Sequence, residues 1–211
     1  MRSLGWNVRK DKADVRSQFQ IAADDVNWEL LINAFGGEYH SSILRLSSGG
    51  VGIWTHYDVM NNVLCQISGE RFVTLYSPND CNNAYLKGDK SLVIDPNDYD
   101  PEHFPLFQNI QLYRCKLNPG DVLFIPALWF HHISMGTDPS VAINIFWKSP
   151  LKPNQYNPND LYGNKDPQPA EQALKLSEKI IKLLNQMPED HADFYGKRIC
   201  ANILSREVNK K

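Results

Sequence analysis

The run Asn118-Pro119-Gly120-Asp121-Val122-Leu123-Phe124-Ile125-Pro126-Ala127-Leu128-Trp129-Phe130-His131-His132 decides how this 211-residue chain is read. Asn118-Pro119-Gly120 is a turn signal, and the apolar residues behind it predict a buried strand that ends on the histidine pair. Adjacent strand residues face opposite ways, so only one of His131 and His132 points inward. The second informative segment is Val51-Gly52-Ile53-Trp54-Thr55-His56-Tyr57-Asp58. Its β-branched and aromatic content predicts a strand on which His56 and Asp58, two residues apart, share a face. Two strands therefore offer two imidazoles and one carboxylate, the donor set of non-haem Fe(II) sites with open coordination positions.

Spacing alone does not make a ligand pair. His191-Ala192-Asp193 repeats it, but Pro188-Glu189-Asp190-His191-Ala192-Asp193-Phe194-Tyr195 reads as helix, where residues two apart point to different sides.

Around these segments, strand signals separated by turns run from Ser41 to Trp147. They fall at Ser41–Leu46, Gly52–Tyr57, Val63–Ile67, Phe72–Tyr76, Leu112–Leu117, Val122–Ile125 and Val141–Trp147. Such spacing predicts a mainly β jelly roll. The stretch from Asp80 to Phe107, with Pro96, Pro101 and Pro105, breaks the rhythm and reads as an ordered insertion or loop. The domain reading is then residues 1–40 as a short helix, around Lys10 to Phe19, with its connection; 41–148 as the β core; 149–170 as a Pro/Asn-rich linker; and 171–211 as C-terminal helices. Ala173, Leu176, Ile180, Leu183 and Leu184 form one apolar stripe of that tail, and Ala192, Tyr195, Ile199 and Ile203 a second. A helical hairpin this small lacks a core of its own and must pack on the barrel or on a partner.

A formal net charge of −2 gives no broad basic surface for phosphates. Lys148, Lys152, Lys165, Lys175, Lys179, Lys182, Lys197, Arg198, Arg206, Lys210 and Lys211 enrich the C-terminal third in positive charge, although acids are interleaved. No signal peptide or membrane-spanning run is visible. Cys65, Cys81, Cys115 and Cys200 are dispersed, which predicts reduced thiols and an intracellular setting, cytoplasmic or nuclear.

Several motifs together resemble the Jumonji-C (JmjC) oxygenases: His56-x-Asp58, Asn62, the basic Arg71 on the following strand, Pro119–Pro126 leading to His131, and Asn144-Ile145-Phe146-Trp147. Arg2-Ser3-Leu4-Gly5, Trp54–Met60, Tyr85-Leu86-Lys87-Gly88, Phe124–His131 and Tyr162–Pro167 are similar to the branch of tRNA wybutosine-synthesizing hydroxylases, and this likeness runs nearly end to end. The resemblance implies a double-stranded β-helix, the jelly roll of cupins. It implies Fe(II) held by His56, Asp58 and His131, with His132 as a neighbour. It implies 2-oxoglutarate as cosubstrate, its far carboxylate met by Arg71 and Asn62, with Ile53 and Asn144 as further candidates. The family usually carries Lys where Arg71 stands, which keeps the charge and changes the donor geometry.

Within that resemblance the implied reaction is hydroxylation of the amino-carboxypropyl side chain of a wyosine base in phenylalanine tRNA, by a homodimer joined through its C-terminal helices. Related enzymes have further strands before the position where this chain opens, one carrying a Tyr that contacts 2-oxoglutarate; the expectation is a domain shortened at its N-terminus. Two readings compete with the tRNA hydroxylase. One is a JmjC protein hydroxylase with the same iron centre, and the other a JmjC-like scaffold that does not turn over. A cupin using another metal would not respond to 2-oxoglutarate, and Asp58, Arg71 and His131 together argue against it.

Overall fold

The computed structural model describes residues 12–34, 37–149 and 151–205. The motif Arg2–Gly5, the start of the helix expected at Lys10, and Arg206, Lys210 and Lys211 lie outside them. The chain forms two compact units, residues 1–167 and 168–211.

Among the described residues the first unit has ten strands: β1 Glu38–Ser47, β2 Gly52–Tyr57, β3 Asn61–Ser68, β4 Arg71–Tyr76, β5 Leu86–Lys87, β6 Lys90–Ser91, β7 Tyr113–Leu117, β8 Val122–Ile125, β9 Phe130–Met135 and β10 Ser140–Lys148. They make two antiparallel sheets, one ordered β1-β10-β3-β8 and the other β5-β6-β2-β9-β4-β7. This is the expected cupin-type jelly roll. Leu64, Ala142 and Ile125 from the first sheet meet Val73, Leu75, Leu117, Ile133 and Met135 from the second in the central core.

The outer faces are covered as well, which explains why β10 reads as an almost unbroken apolar run. Ala142 points into the central core, while Ile143, Ile145 and Trp147 point outward beneath Val15, Phe19, Ala23, Val26, Trp28 and Leu31. Those residues come from α1 Val15–Gln18, α2 Gln20–Ala23, α3 Trp28–Ala34 and their connections. The expected single helix up to Phe19 is thus replaced by two short turns, because Asp14 caps α1 by accepting from the Arg16 N–H and the non-helical Phe19, at φ −139° and ψ 60°, interrupts the path. Helix α3 falls in the segment expected to be connection; Asn27 caps it by accepting the Leu30 N–H at 3.0 Å.

The insertion covers the other sheet. Two 3-10 turns, Pro78–Asn83 and Pro105–Asn109, and the hairpin β5–β6 bring Ala84, Val93, Phe107 and Ile110 onto Tyr76 and Phe130. The ring of Tyr76 stacks on Phe130 with centroids 4.6 Å apart.

The histidine pair does not end the strand that starts at Val122. That strand stops at Ile125, the chain turns, and β9 begins at Phe130. Pro126 cannot continue the ladder, and Leu128 adopts φ 69°, a left-handed conformation that a branched side chain tolerates only when its surroundings hold it. Here the Leu128 N–H donates to the Asp58 carbonyl at 2.7 Å and the Trp129 N–H to the Pro126 carbonyl at 3.2 Å.

The second unit is a helical hairpin, α4 Gln168–Leu184 and α5 Glu189–Leu204, with Pro188 at the N-cap of α5. Ala170, Glu171, Ile180, Leu184, Met187, Ala192, Gly196 and Ile199 are its half-covered positions among the described residues. Leu176, Leu183, Tyr195 and Ile203 of the expected stripes stay exposed, and neither helix buries a residue. Among the described residues no helix is long and apolar enough to cross a membrane. All four cysteines are free.

Candidate metal centre and carboxylate pocket

His56 and Asp58 come from β2 and the residue just beyond it, and His131 from β9; His56 and His131 are register partners across the two strands. One donor atom from each lies within 4.8 Å of the others, a grouping that could hold a metal ion. The imidazole centroids are 4.3 Å apart, and His131 Nε2 lies 3.6 Å from Asp58 Oδ2.

Each ring is set by the backbone two residues before it. His56 Nδ1 meets the Trp54 carbonyl at 2.8 Å, and His131 Nδ1 meets the Trp129 carbonyl at 3.1 Å. A carbonyl only accepts, so each Nδ1 carries the proton and each Nε2 keeps its lone pair for the centre. Burial lowers both imidazoles to about 4, so they are neutral at pH 7; the neighbouring His131 adds to the effect on His56. Burial raises the Asp58 carboxyl to about 6 against the opposing pull of His56 and Arg45. At neutral pH the trio is two neutral nitrogen donors and one carboxylate.

His132 faces the other way, as its alternation requires. Its Nδ1 contacts the Ile94 carbonyl of the insertion at 3.1 Å, and its Nε2 lies 3.6 Å from Asp95. His191 and Asp193 are exposed on α5, where Asp193 pairs with Lys197.

Behind the metal cluster runs a polar chain across the first sheet. Asn62 Nδ2 approaches Asp58 Oδ2 at 3.5 Å, Asn144 Nδ2 donates to Asn62 Oδ1 at 2.9 Å, and Arg45 Nε donates to Asn144 Oδ1 at 2.9 Å. Arg45 also lines the cavity of about 760 Å³ into which His56 and Asp58 open. The sequence reading missed it. Its signal is a charge at the centre of Ser41-x-Ile43-x-Arg45-x-Ser47, where alternation assigns it to the inner face with Ile43.

Arg71 is 1% exposed and points between the sheets, where its Nε donates to Ser140 Oγ at 3.0 Å. Among the described residues its Nη2 has no hydrogen-bond partner and no carboxylate pairs with it. Burial, helped by the charge on Arg45, lowers its pKa to about 10. An uncompensated buried guanidinium is costly, and its open donor suits an incoming carboxylate. Ile53 lines the cavity and packs on the central core; Asn62 and Asn144 are buried.

The ladder between β2 and β9 is irregular here. Ile53 pairs with Ile133 and His56 with His131, so three steps on β2 match two on β9. The bulge adds one residue to β2 in the segment where Ile53 and Trp54 line the cavity. Thr55 is turned outward, where its N–H and hydroxyl both donate to the Ile94 carbonyl, at 3.0 and 2.9 Å.

A jelly roll with an internal His-Asp-His cluster defines a cupin-like protein, and the chain belongs to that family: the Cupin-like domain matches residues 3–152. Among curated proteins it is similar to tRNA wybutosine-synthesizing protein 5 of Gallus gallus, 45% identical over 98% of this chain and 64% of that protein, and of Homo sapiens, 42% identical over 100% and 65%. It is also 34% identical to tRNA wybutosine-synthesizing protein 4 of Gibberella zeae over 91% of this chain, there covering 18% of the longer fungal protein. These likenesses bear out the resemblance drawn from the motifs. The chain spans just under two thirds of the length of the protein 5 relatives.

Proposed function

We propose that this chain acts in wybutosine biosynthesis as an Fe(II)- and 2-oxoglutarate-dependent hydroxylase of the amino-carboxypropyl side chain of a wyosine base in phenylalanine tRNA. The observation that carries the reading is the pairing, inside one barrel, of a His-Asp-His donor cluster with a buried, unpaired guanidinium. The relatives named for wybutosine synthesis support the substrate class.

The residues present fit the iron and its cosubstrate. Two neutral imidazoles and a carboxylate suit a divalent metal and leave coordination positions open. His56, Asp58 and His131 hold the ion. Arg71 Nη2 takes the far carboxylate of 2-oxoglutarate; it stands four residues along β4 from Leu75, the partner of His131, about 13 Å by strand rise. The long Arg stem and a five-carbon diacid together bridge that gap. Asn62 holds Asp58 in place, Asn144 braces Asn62, and Ile53 and Met135 form an apolar wall that excludes water. When bound, Fe(II) with 2-oxoglutarate and dioxygen supplies the oxidising power that turns a substrate C–H into C–OH, with decarboxylation of the cosubstrate to succinate.

The test is succinate formation by the purified chain with Fe(II), 2-oxoglutarate and oxygen, with and without hypomodified phenylalanine tRNA. The reading expects succinate that rises with the tRNA and disappears in Asp58→Ala, and an apparent KM for 2-oxoglutarate at least tenfold higher in Arg71→Ala. Succinate stimulated only by a protein substrate would overturn the tRNA assignment. Metal binding with no turnover under any condition would indicate a scaffold.

The same reading includes a homodimer through α4 and α5. Leu174, Leu176, Ile181, Leu183, Phe194 and Tyr195 are exposed on the hairpin, an apolar surface that a second copy covers.

A further inference from the structure

Trp54 is a residue of the cavity that neither the core nor the metal cluster explains. It keeps 49% of its surface exposed, and its ring centroid lies 6.4 Å from that of His56. It lines the cavity with its neighbour Ile53, within the irregular stretch of β2 between Ile53 and His56. Lys90 Nζ sits 4.6 Å over the indole centroid, and Lys90 is the register partner of His56 on the far side from β9. Among the described residues Lys90 has no ion pair. Lys87 faces Lys90 across the hairpin β5–β6, whose turn is made by Gly88 at φ 65° and Asp89. The motif Tyr85-Leu86-Lys87-Gly88 thus ends in an exposed cationic lip beside an exposed indole.

An aromatic face flanked by cations is the surface on which a nucleotide base stacks while its phosphates are neutralised. We propose that the face of Trp54 away from Lys90 is the platform for the planar base that bears the reacting side chain, and that Lys87 and Lys90 meet the adjoining phosphates. The inference rests on the tRNA hydroxylase reading and adds to it the residue that recognises the base. A base on this ring directs its side chain toward the donor cluster one residue pair away. The alternative is a surface cation–π pair without a ligand.

Binding of two anticodon stem-loops by the full chain, with Mn(II) in place of iron, tests this. One loop carries the tricyclic base and the other guanosine at the same position. Stacking on an aromatic residue corresponds to about a 5- to 150-fold change in affinity. Trp54→Ala is expected to weaken the modified loop by an amount in that range and the unmodified loop far less, with Trp54→Phe restoring most of the difference. Lys87→Ala/Lys90→Ala is expected to weaken both loops and flatten the salt dependence. Unchanged binding in Trp54→Ala, or an equal loss for both loops, overturns the proposal. Succinate assays separate the two layers. If tRNA stimulates wild type and Trp54→Ala at the same KM, the hydroxylase reading stands and the platform falls; if no tRNA stimulates wild type, both fall.

Discussion

His131 and His132 are chemically identical neighbours whose roles are divided by the strand. Alternation turns His131 inward to Asp58 and His132 outward to the Ile94 carbonyl. His131→Ala is therefore expected to reduce Mn(II) or Co(II) affinity by more than about 100-fold, since even partners outside the metal's own ligands are worth about 10- to 100-fold. His132→Ala should stay within about tenfold of wild type by isothermal titration; the reverse ranking would put the wrong histidine on the metal. His40 offers a pH test away from the site. It is 5% exposed, and burial, then the charge on Lys12, lowers its pKa to about 4 from 6.5 against the opposing pull of Asp160. Between pH 6.5 and 4 the unfolded chain binds a proton that the folded chain refuses, so stability is full above 6.5 and falls as pH drops through this window. Replacement by Leu should remove on the order of 2 kcal/mol of the acid-induced loss, seen as a shallower decline of urea midpoint between pH 7 and 4.5 than in wild type. An unchanged decline would mean that His40 contributes nothing to it.

How strands and turns deliver these side chains was only partly legible. The alternation that places His56 beside Asp58 could be read directly, as could a jelly roll from strand spacing. The bulge at Trp54 could not, because one extra residue leaves no mark in an apolar strand and shows only when the partner strand is known. The turn at Pro126–Trp129 looked like continuous strand for a similar reason: apolar residues carry it, and its conformation is stabilised from outside by the Asp58 carbonyl. The Pro/Asn-rich segment after β10 gives a sharper case. One carboxylate organises it: Asp160 Oδ1 accepts from the N–H groups of Tyr162, Gly163 and Asn164 at 3.0, 2.8 and 3.3 Å, and Oδ2 from Lys165 at 3.0 Å. Gly163 sits at φ 81° against Phe146, donates to Asp160 and accepts from the Val59 N–H at 2.7 Å. Through this knot Tyr162 and Asn164 reach the cavity wall. Asp160→Ala leaves the buried Gly163 N–H and three partly buried N–H groups without their acceptor and is expected to cost about 1–3 kcal/mol in chemical denaturation, with weaker substrate binding from a loosened wall. A loss under 0.5 kcal/mol would show that the segment holds without its carboxylate.

The two units divide the candidate metal cluster from the exposed apolar helices. The metal cluster, Arg71 and the cavity all belong to residues 1–167, whereas α4 and α5 supply none of them. Helical periodicity in the tail was plain in the sequence, but which stripe closes the hairpin was not, since Leu176 and Ile180 look equally apolar from their spacing. In the structure Ile180 and Leu184 are half-covered and Gly196 allows Leu184 within 3.7 Å of where a Cβ would stand. Leu176 and Leu183, seven residues apart, remain 57% and 61% exposed, and Leu174 and Ile181 repeat the interval at 53% and 56%. Seven-residue spacing of exposed apolar side chains is the pattern of a helix that packs along another helix, and a hairpin of two helices gains most of its stability from such packing. At about 10 µM, light scattering should accordingly report twice the mass of one chain. Leu176→Asp/Leu183→Asp places two charges on the contact and should give a monomer that still binds Mn(II) with wild-type affinity, because the ligands lie wholly in the other unit. A wild-type monomer would refute the homodimer. A dimer that survives both charges would move the interface away from these leucines, and a monomer that also loses metal would show that assembly shapes the site.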